Sequence, residues 1–156
     1  MAGKSDLRAF LAGSGVSAEF LEFGGSVHSV ADAAERAGAP HDSFVKTMAL
    51  VADGSPAVAI IPGDRRLDMG KVAGILGAKG ARMAKPSEVL EATGYPAGGV
   101  PPIFANPRRI PFLIDRRVLE RETVLGGGGD ARTLLRIRPA DILRATGATE
   151  ADLCPD

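Results

Sequence analysis

Apolar positions along the chain follow helical spacing in some segments and strand spacing in others. Within residues 5–12, Leu7, Phe10 and Leu11 share one face of a helix, and glycines follow at once. Four more segments begin with a residue that favours a helix start (Ser, Asp or Pro). A glycine at the end of three of these segments marks the end of the predicted helix. We therefore predict helices over 5–12, from Ser29 to about Gly38, from Asp68 onward, over 86–94 and over 139–147.

The clearest strand signal is a pair of apolar, β-branched segments at 45–52 and 57–61, joined by Asp53-Gly54-Ser55-Pro56 as a turn. Both segments are apolar on both faces, so we expect them at the centre of a covered sheet. Further strands are predicted at 80–84, 110–115, 121–125 and 132–138. Because helices and strands mix without a strict βαβ rhythm, the expected class is α+β (mixed α/β). No linker divides the chain, so we expect one domain over 1–156.

Composition and charge argue against several classes of protein. The 19 basic and 19 acidic side chains cancel, which disfavours strong unspecific binding of nucleic acid. No apolar run approaches the ~18 residues of a membrane span, no signal-like segment follows Met1, and a single cysteine is typical of a reducing compartment. We therefore expect a cytoplasmic protein that makes no membrane contact.

The sequence also gives little sign of a metal site, a cysteine nucleophile or a phosphate-binding loop. His28, His41 and Cys154 lie too far apart in sequence for a local zinc pattern or a Cys/His nucleophile pair, so we expect no metal. Cys154 is the third residue from the end of the sequence, where chains usually fray. Gly3-Lys4-Ser5 only imitates the end of a phosphate-binding loop. No cofactor is expected.

The glycine run Gly126–Gly129 fits the loose dinucleotide pattern, but that pattern must open a helix. The residues that follow, 132–138, alternate like a strand and place Thr133, Leu135 and Ile137 on one side. The glycines are therefore predicted to form a hairpin turn or a bulge.

Lys46 and the loop Gly98-Gly99-Val100-Pro101-Pro102 are candidate functional features. Lys46 shares a strand face with Met48, Leu50 and Ala52, so its ammonium either reaches out to water or points into a pocket, where it could hold a phosphate or a polarised carbonyl. The two glycines of the loop allow a ligand to approach the backbone, and the two prolines stiffen it. Its N–H groups could stabilise an oxyanion, or the loop is simply rigid.

Charge is unevenly distributed along the chain. Residues 1–45 hold three basic and six acidic groups, whereas residues 64–85 hold six basic and two acidic ones. Residues 108–121 are also basic, and residues 139–156 are acidic. Such runs are usually solvated faces, but the pooled basic segments could contact a few phosphates of a single-stranded end.

Four segments in this order resemble the YbaK/EbsC family of aminoacyl-tRNA deacylases, which includes the editing domain inserted in bacterial prolyl-tRNA synthetases. They are Phe44-Val-Lys-Thr-Met-Ala-Leu50, Ile61-Pro-Gly-Asp-Arg-Arg-Leu-Asp68, Thr93-Gly-Tyr-Pro-Ala-Gly-Gly-Val-Pro-Pro102 and Gly126–Gly129. The similarity runs from about Ser29 to Ala151. It implies a curved, barrel-like mixed β-sheet surrounded by helices.

The resemblance also implies a function and a site. The expected activity is hydrolysis of mischarged tRNA in trans, on Cys- or Ala-tRNAPro-like substrates, with the tRNA acceptor end and possibly a synthetase as partners. Lys46 would hold the acceptor end, the amides of Gly98 and Gly99 would bind the carbonyl or the amino acid, and water or a substrate group would attack. Further expected contacts are Val100, Pro101, Pro102, Phe44, Met48 and Ile60 to the amino acid, and Arg65, Arg66 and Lys71 to tRNA.

Two alternatives remain open at this point. The first is a non-catalytic module that binds tRNA or a synthetase and lends specificity to a partner. The second is hydrolysis of a small ester that is not a tRNA. Members selective for alanyl-tRNA tend to carry serines in the loop, whereas this chain has Gly-Gly-Val-Pro-Pro, so the sequence leaves the amino acid undecided.

Overall fold

The computed structural model describes residues 2–27 and 29–156, so His28 lies outside the described residues. Within them the helices are α1 (Lys4–Ser14), α2 (Val30–Ala37), α3 (Met69–Leu76), α4 (Pro86–Thr93) and α5 (Pro139–Thr146). The strands are β1 (Glu19–Glu22), β2 (Val45–Ala52), β3 (Ser55–Pro62), β4 (Ala81–Met83), β5 (Phe112–Asp115), β6 (Val124–Gly127), β7 (Thr133–Ile137) and β8 (Thr149–Ala151). No helix in the described ranges is long and apolar enough to cross a bilayer.

The helix ends confirm the capping signals in the sequence. The Ser29 hydroxyl accepts a hydrogen bond from the Asp32 N–H at 3.1 Å, and the Asp68 carboxylate accepts one from the Lys71 N–H at 3.0 Å. Each of the five helices is followed by a glycine in the left-handed conformation, which ends it without steric cost. Local sequence alone therefore determines where these helices begin and end.

The larger sheet has the strand order β4-β2-β3-β5-β8 and confirms that β2 and β3 are central. They pair antiparallel along their whole length, from Val45 opposite Pro62 to Ala52 opposite Ser55. The turn is the two residues Asp53 and Gly54, with φ of 46° and 81°, as a type I′ hairpin requires. It is shorter than predicted because Ser55 and Pro56 already pair with β2.

The smaller sheet has the order β1-β7-β6. Gly126 and Gly127 pair with β7 as the last residues of β6, and only Gly128 and Gly129 lie in the predicted turn. The glycine run therefore belongs to a β-hairpin and does not open a nucleotide-binding helix. One isolated bridge, Phe44 to Leu125, joins the start of β2 to β6. Both sheets are open, so the barrel-like description is not confirmed. Sequence patterns missed β1 and β8, because both are short edge strands, and β8 (Thr-Glu-Ala) has almost no apolar character.

The end of the chain is held firmly, so the expectation that Cys154 frays is wrong. Leu153 and Cys154 are 0% exposed, in one apolar cluster with Leu50, Ile61 and Val72. Burial, reinforced by the nearby Asp115 carboxylate, raises the pKa of the Cys154 thiol to about 11. The side chain is therefore a buried, protonated thiol and not a nucleophile.

Carboxylates tie this C-terminal segment to the sheet. The buried Asp115 accepts hydrogen bonds from the backbone N–H of Leu153 at 2.8 Å and of Arg117 at 2.9 Å. Asp152 pairs with Arg117 at 3.1 Å and with Lys71 at 2.9 Å. Hydrogen bonds from Lys71 and Arg117 lower the pKa of Asp152. Separate elements, α3 and the end of β5, thus meet at the C-terminal segment.

Removing the Lys71 ammonium should expose Cys154. In Lys71→Met the C-terminal segment loses its anchor to α3, so we expect the thiol to react at least several times faster with a chromogenic disulfide under native conditions. Lys79→Met, which alters an exposed lysine outside these ion pairs, is the matched control and should leave the rate unchanged. Equal rates in wild type and Lys71→Met would contradict the anchoring role.

Acid should weaken the fold through Asp152. Because its folded pKa lies below the unfolded value of about 3.9, its stabilising effect is complete above that value and is lost as the pH falls below it. Urea denaturation between pH 6 and pH 2 should show stability falling in acid, and Asp152→Asn should show a smaller fall. The control Glu35→Gln, at an exposed carboxylate without an ion pair in the described chain, should match the wild-type slope.

Candidate active site

A cavity of about 220 Å³ lies where the start of β2 meets α2, the β6–β7 hairpin and the loop 98–102. Its walls are mostly apolar, with a few polar groups, as is usual for sites that bind small groups. The lining residues are Val27, Ser29, Val30, Ala33, Phe44, Val45, Lys46, Thr47, Met48, Gly98, Val100, Gly126, Gly127, Thr133 and Leu134. The cavity therefore brings Lys46 and the candidate loop together from distant parts of the sequence.

The pairing of β2 explains why Lys46 reaches this cavity. On one side β2 pairs with β3 throughout, but on the other side β4 pairs only with residues from Leu50 to Ala52. The four residues at the start of β2 therefore border the cavity along an edge that β4 does not cover. Lys46 is partly exposed there, and within the described residues it has no ion pair or hydrogen bond. Its ammonium is available to a ligand.

The candidate loop is held in one conformation by its neighbours. Gly98 lines the cavity with φ of 87°, a conformation that favours glycine. The N–H of Gly99 donates to the Pro96 carbonyl at 3.0 Å, and its own carbonyl accepts from the Gly129 N–H at 3.1 Å. Tyr95 and Phe104, which flank the loop, bring their ring centroids to 5.9 Å. Val100 lines the cavity, whereas Pro101 and Pro102 are buried behind it.

The cavity is also lined by a polar residue that sequence patterns missed. Thr47 is part of its wall, and the Thr47 hydroxyl oxygen is buried with no hydrogen-bond partner in the described structure. Strand alternation places Thr47 on the face opposite Lys46, so no sequence signal predicted that both line one cavity. Ser29, which the sequence showed only as a helix cap, lines it as well.

Of the six residues expected at the amino-acid pocket, three line the cavity, whereas Ile60, Pro101 and Pro102 do not. Phe44, Met48 and Val100 are part of its wall. Ile60 is 0% exposed and belongs to the main apolar core, because β3 is covered on both sides. The structure therefore gives Ile60 a packing role away from the cavity.

The three basic residues expected to contact tRNA differ in their surroundings. Arg65 and Arg66 are exposed and without an ion pair in the described residues. They follow Gly63, whose backbone packs against Phe44 and Val30 of the cavity wall. The Lys71 ammonium instead bonds Asp152 at 2.9 Å, Asp156 at 2.8 Å and the Cys154 carbonyl at 2.7 Å. All three of its N–H donors are used within the protein, which corrects the expectation for Lys71.

Two arginines in and just after β7 are also occupied. Arg136 pairs with Glu19 and Arg138 pairs with Asp141. In the described parts of the chain no three His, Cys, Asp or Glu side chains group as metal ligands do. The polar groups that line the cavity are thus one free ammonium, three hydroxyls and the backbone of glycine-rich segments. Such a set can orient a polar ligand and donate hydrogen bonds to an oxyanion.

Comparison with known proteins agrees with the earlier resemblance. The family profile of the aminoacyl-tRNA editing domain matches residues 25–145. A proline–tRNA ligase of Acidithiobacillus ferrooxidans is 37% identical over 60% of this chain, and one of Solidesulfovibrio magneticus is 34% identical over 82%. The matched segments are only 16% and 23% of those ligases, so the chain corresponds to a small part of them.

Solved structures match over nearly the whole chain. A hypothetical protein superposes with a TM-score of 0.89 and 34% identity, covering 96% of this chain and 99% of its own. A proposed trans-editing enzyme for prolyl-tRNA synthetase superposes with a TM-score of 0.88 and 32% identity, covering 98% and 97%. Since the profile spans most of the chain and includes Lys46, the loop and the glycine hairpin, the chain belongs to the aminoacyl-tRNA editing domain family.

Proposed function

We propose that this protein is a hydrolase that removes a wrong amino acid from mischarged tRNA, acting in trans on Cys- or Ala-tRNAPro-like substrates. The observation that carries the proposal is that the free ammonium of Lys46 and the backbone of Gly98 and Val100 line one small cavity. The family supplies the class of substrate, an aminoacyl-tRNA, and the trans-editing neighbour supports action apart from a synthetase.

The proposed chemistry needs only positioning and electrostatic stabilisation. The ammonium of Lys46 holds the acceptor end so that the ester carbonyl lies against the loop, where the amides of Gly98 and Val100 donate to its oxygen as negative charge develops. The N–H of Gly99, which the sequence suggested as a donor, already donates to the Pro96 carbonyl and takes no part. Water, or a thiol of the substrate, adds to the carbonyl carbon. In either case the bond to the ribose oxygen breaks and that oxygen takes the proton that the nucleophile gives up. Water leaves a free amino acid and tRNA, whereas the substrate's thiol leaves tRNA and a cyclic thioester, which water then opens to the amino acid. An ester is already activated, so accurate placement supplies much of the acceleration.

The size of the cavity supports a small aminoacyl group. A cavity of about 220 Å³ is large enough to hold a small amino acid. We place the nucleotides of the acceptor end at its mouth, beside the loop that carries Arg65 and Arg66. We place the reaction in the cytoplasm, where aminoacyl-tRNAs are made and used, with tRNA as the partner and no cofactor.

Lys46→Ala should nearly abolish deacylation, because the acceptor end loses the cation that places it, while the fold stays intact. A panel of tRNAs charged with Cys, Ala, Ser, Thr and Pro first identifies the best substrate, on which wild type and variant are then compared. We expect a loss of at least about 100-fold in kcat/KM, as for other positioning defects of this size. Circular dichroism and thermal unfolding should show no change.

The matched control is Lys79→Ala, which removes an exposed lysine remote from the cavity lining and should keep full activity. Full activity of Lys46→Ala would sink the mechanism. Saturable tRNA binding without turnover across the whole panel would instead favour the non-catalytic binding module. Equal rates on charged tRNA and on its aminoacyl-adenosine fragment would favour a small-ester hydrolase.

Binding to tRNA should weaken as salt rises, because Arg65 and Arg66 displace counterions from phosphates. Replacing both with Gln should reduce the slope of log affinity against log salt by about 1.4 to 1.8, at roughly 0.7 to 0.9 per lost contact. Lys71→Gln is the control and should leave the slope unchanged, since that ammonium is occupied by carboxylates. Fluorescence anisotropy at several salt concentrations measures this, and an unchanged slope in the double variant would remove these arginines from the interface.

A further inference from the structure

The hairpin glycines lie in direct backbone contact with the candidate loop. A Cβ atom placed on Gly127 would lie 2.3 Å from the Val100 carbonyl oxygen and 2.9 Å from its carbonyl carbon. One placed on Gly126 would lie 3.1 Å from the Pro102 ring and 3.1 Å from Val45. Neither glycine has a left-handed φ. Glycine is required at these two positions because the hairpin and the neighbouring segments approach each other closely.

A glycine of the loop is also in close contact with the hairpin. A Cβ on Gly99 would lie 3.2 Å from the Cα of Asp130, in the turn of the hairpin. The Gly129 N–H donates to the Gly99 carbonyl at 3.1 Å. Loop and hairpin therefore pack backbone to backbone, without side chains that could adjust by changing rotamer.

The N-terminal residues support the hairpin from behind. A Cβ on Gly129 would lie 3.0 Å from the Lys4 backbone nitrogen, and its φ of 102° also favours glycine. Lys4 forms an ion pair with Glu22 of β1, and the Ala2 N–H donates to the Gly94 carbonyl at 2.7 Å, just before the loop. These N-terminal residues lie outside the segment 25–145 that matches the family profile.

We propose that Gly126, Gly127 and Gly129, together called the glycine seat, are positioning residues that fix the amides of Gly98 and Val100 at the distance an oxyanion requires. The inference rests on the proposed function for its catalytic consequence. Oxyanion stabilisation depends on donors held at 2.7–3.1 Å from the oxygen, roughly. Because these donors are backbone amides, their position depends on the main chain beneath them. The glycine seat supplies that support.

Alanine at 127 tests the seat directly. The added methyl group must push the Val100 carbonyl away by about 1 Å to reach normal contact, and a misplacement of this size can cost on the order of 100-fold in rate. Alanine at 126 meets contacts of 3.1 Å and should displace the loop less. The predicted order of effect is therefore Gly127→Ala, then Gly126→Ala.

Two control variants distinguish displacement of the loop from general destabilisation of the fold. Ala131→Ser changes an exposed residue of the same hairpin turn, and Gly74→Ala adds a methyl group where nothing lies within 4 Å. For all four variants and the wild type, NMR records amide shifts and hydrogen exchange of residues 98–100, a readout that needs no activity. Deacylation kinetics then give kcat and KM separately.

We expect Gly127→Ala to shift the loop amides and speed their exchange, and to lower kcat about 100-fold with little change in KM, while both controls leave these quantities unchanged. Unmoved loop amides in a folded Gly127→Ala protein would overturn the inference, as would a rise in KM with kcat unchanged. If Gly127→Ala does not fold, the same measurements on the milder variant Gly126→Ala test the inference. If the wild type hydrolyses nothing, the proposed function fails, and the amide data alone decide whether the glycines seat the loop.

Discussion

The uncovered start of β2 is the constraint on which the candidate site depends. β3 pairs with β2 along its whole length, but β4 reaches only from Leu50 to Ala52. Were β4 longer, it would close the edge that borders the cavity and bury the lysine that stands there. Instead β6 approaches through one bridge at Phe44, and its glycines leave room for the loop. One short strand thus opens a small site in an otherwise covered sheet.

Ion pairing occupies some of the cations of this chain and leaves others for a ligand. Within the described residues, Lys71 and Arg117 pair with Asp152, and Arg82 pairs with Glu88. Lys46, Arg65 and Arg66 have no such partner there. Because the net charge is zero, we expect contact with the proposed tRNA ligand to be weak and sensitive to salt.

Predictions from the sequence succeeded where the signal is local. Ser29 and Asp68 cap helices through their own side chains, and Asp53-Gly54 adopts the positive φ values of a tight hairpin turn. They failed where the decisive partner is distant along the chain. Cys154 is buried because Asp115 and Lys71 hold its segment, and Ile60 is core because neighbouring strands cover it.

Residue type and short spacing were enough to predict the family, most of the helix ends and two functional candidates, Lys46 and the glycine loop. The folded chain was needed to show that these two share one cavity, that Thr47 lines it as well, and that the Lys71 ammonium is paired with carboxylates. The physical reason is that these properties are set by strand pairing and backbone contact between distant segments. Gly127 against the Val100 carbonyl is such a contact, because nothing in a run of glycines indicates which chain it will touch.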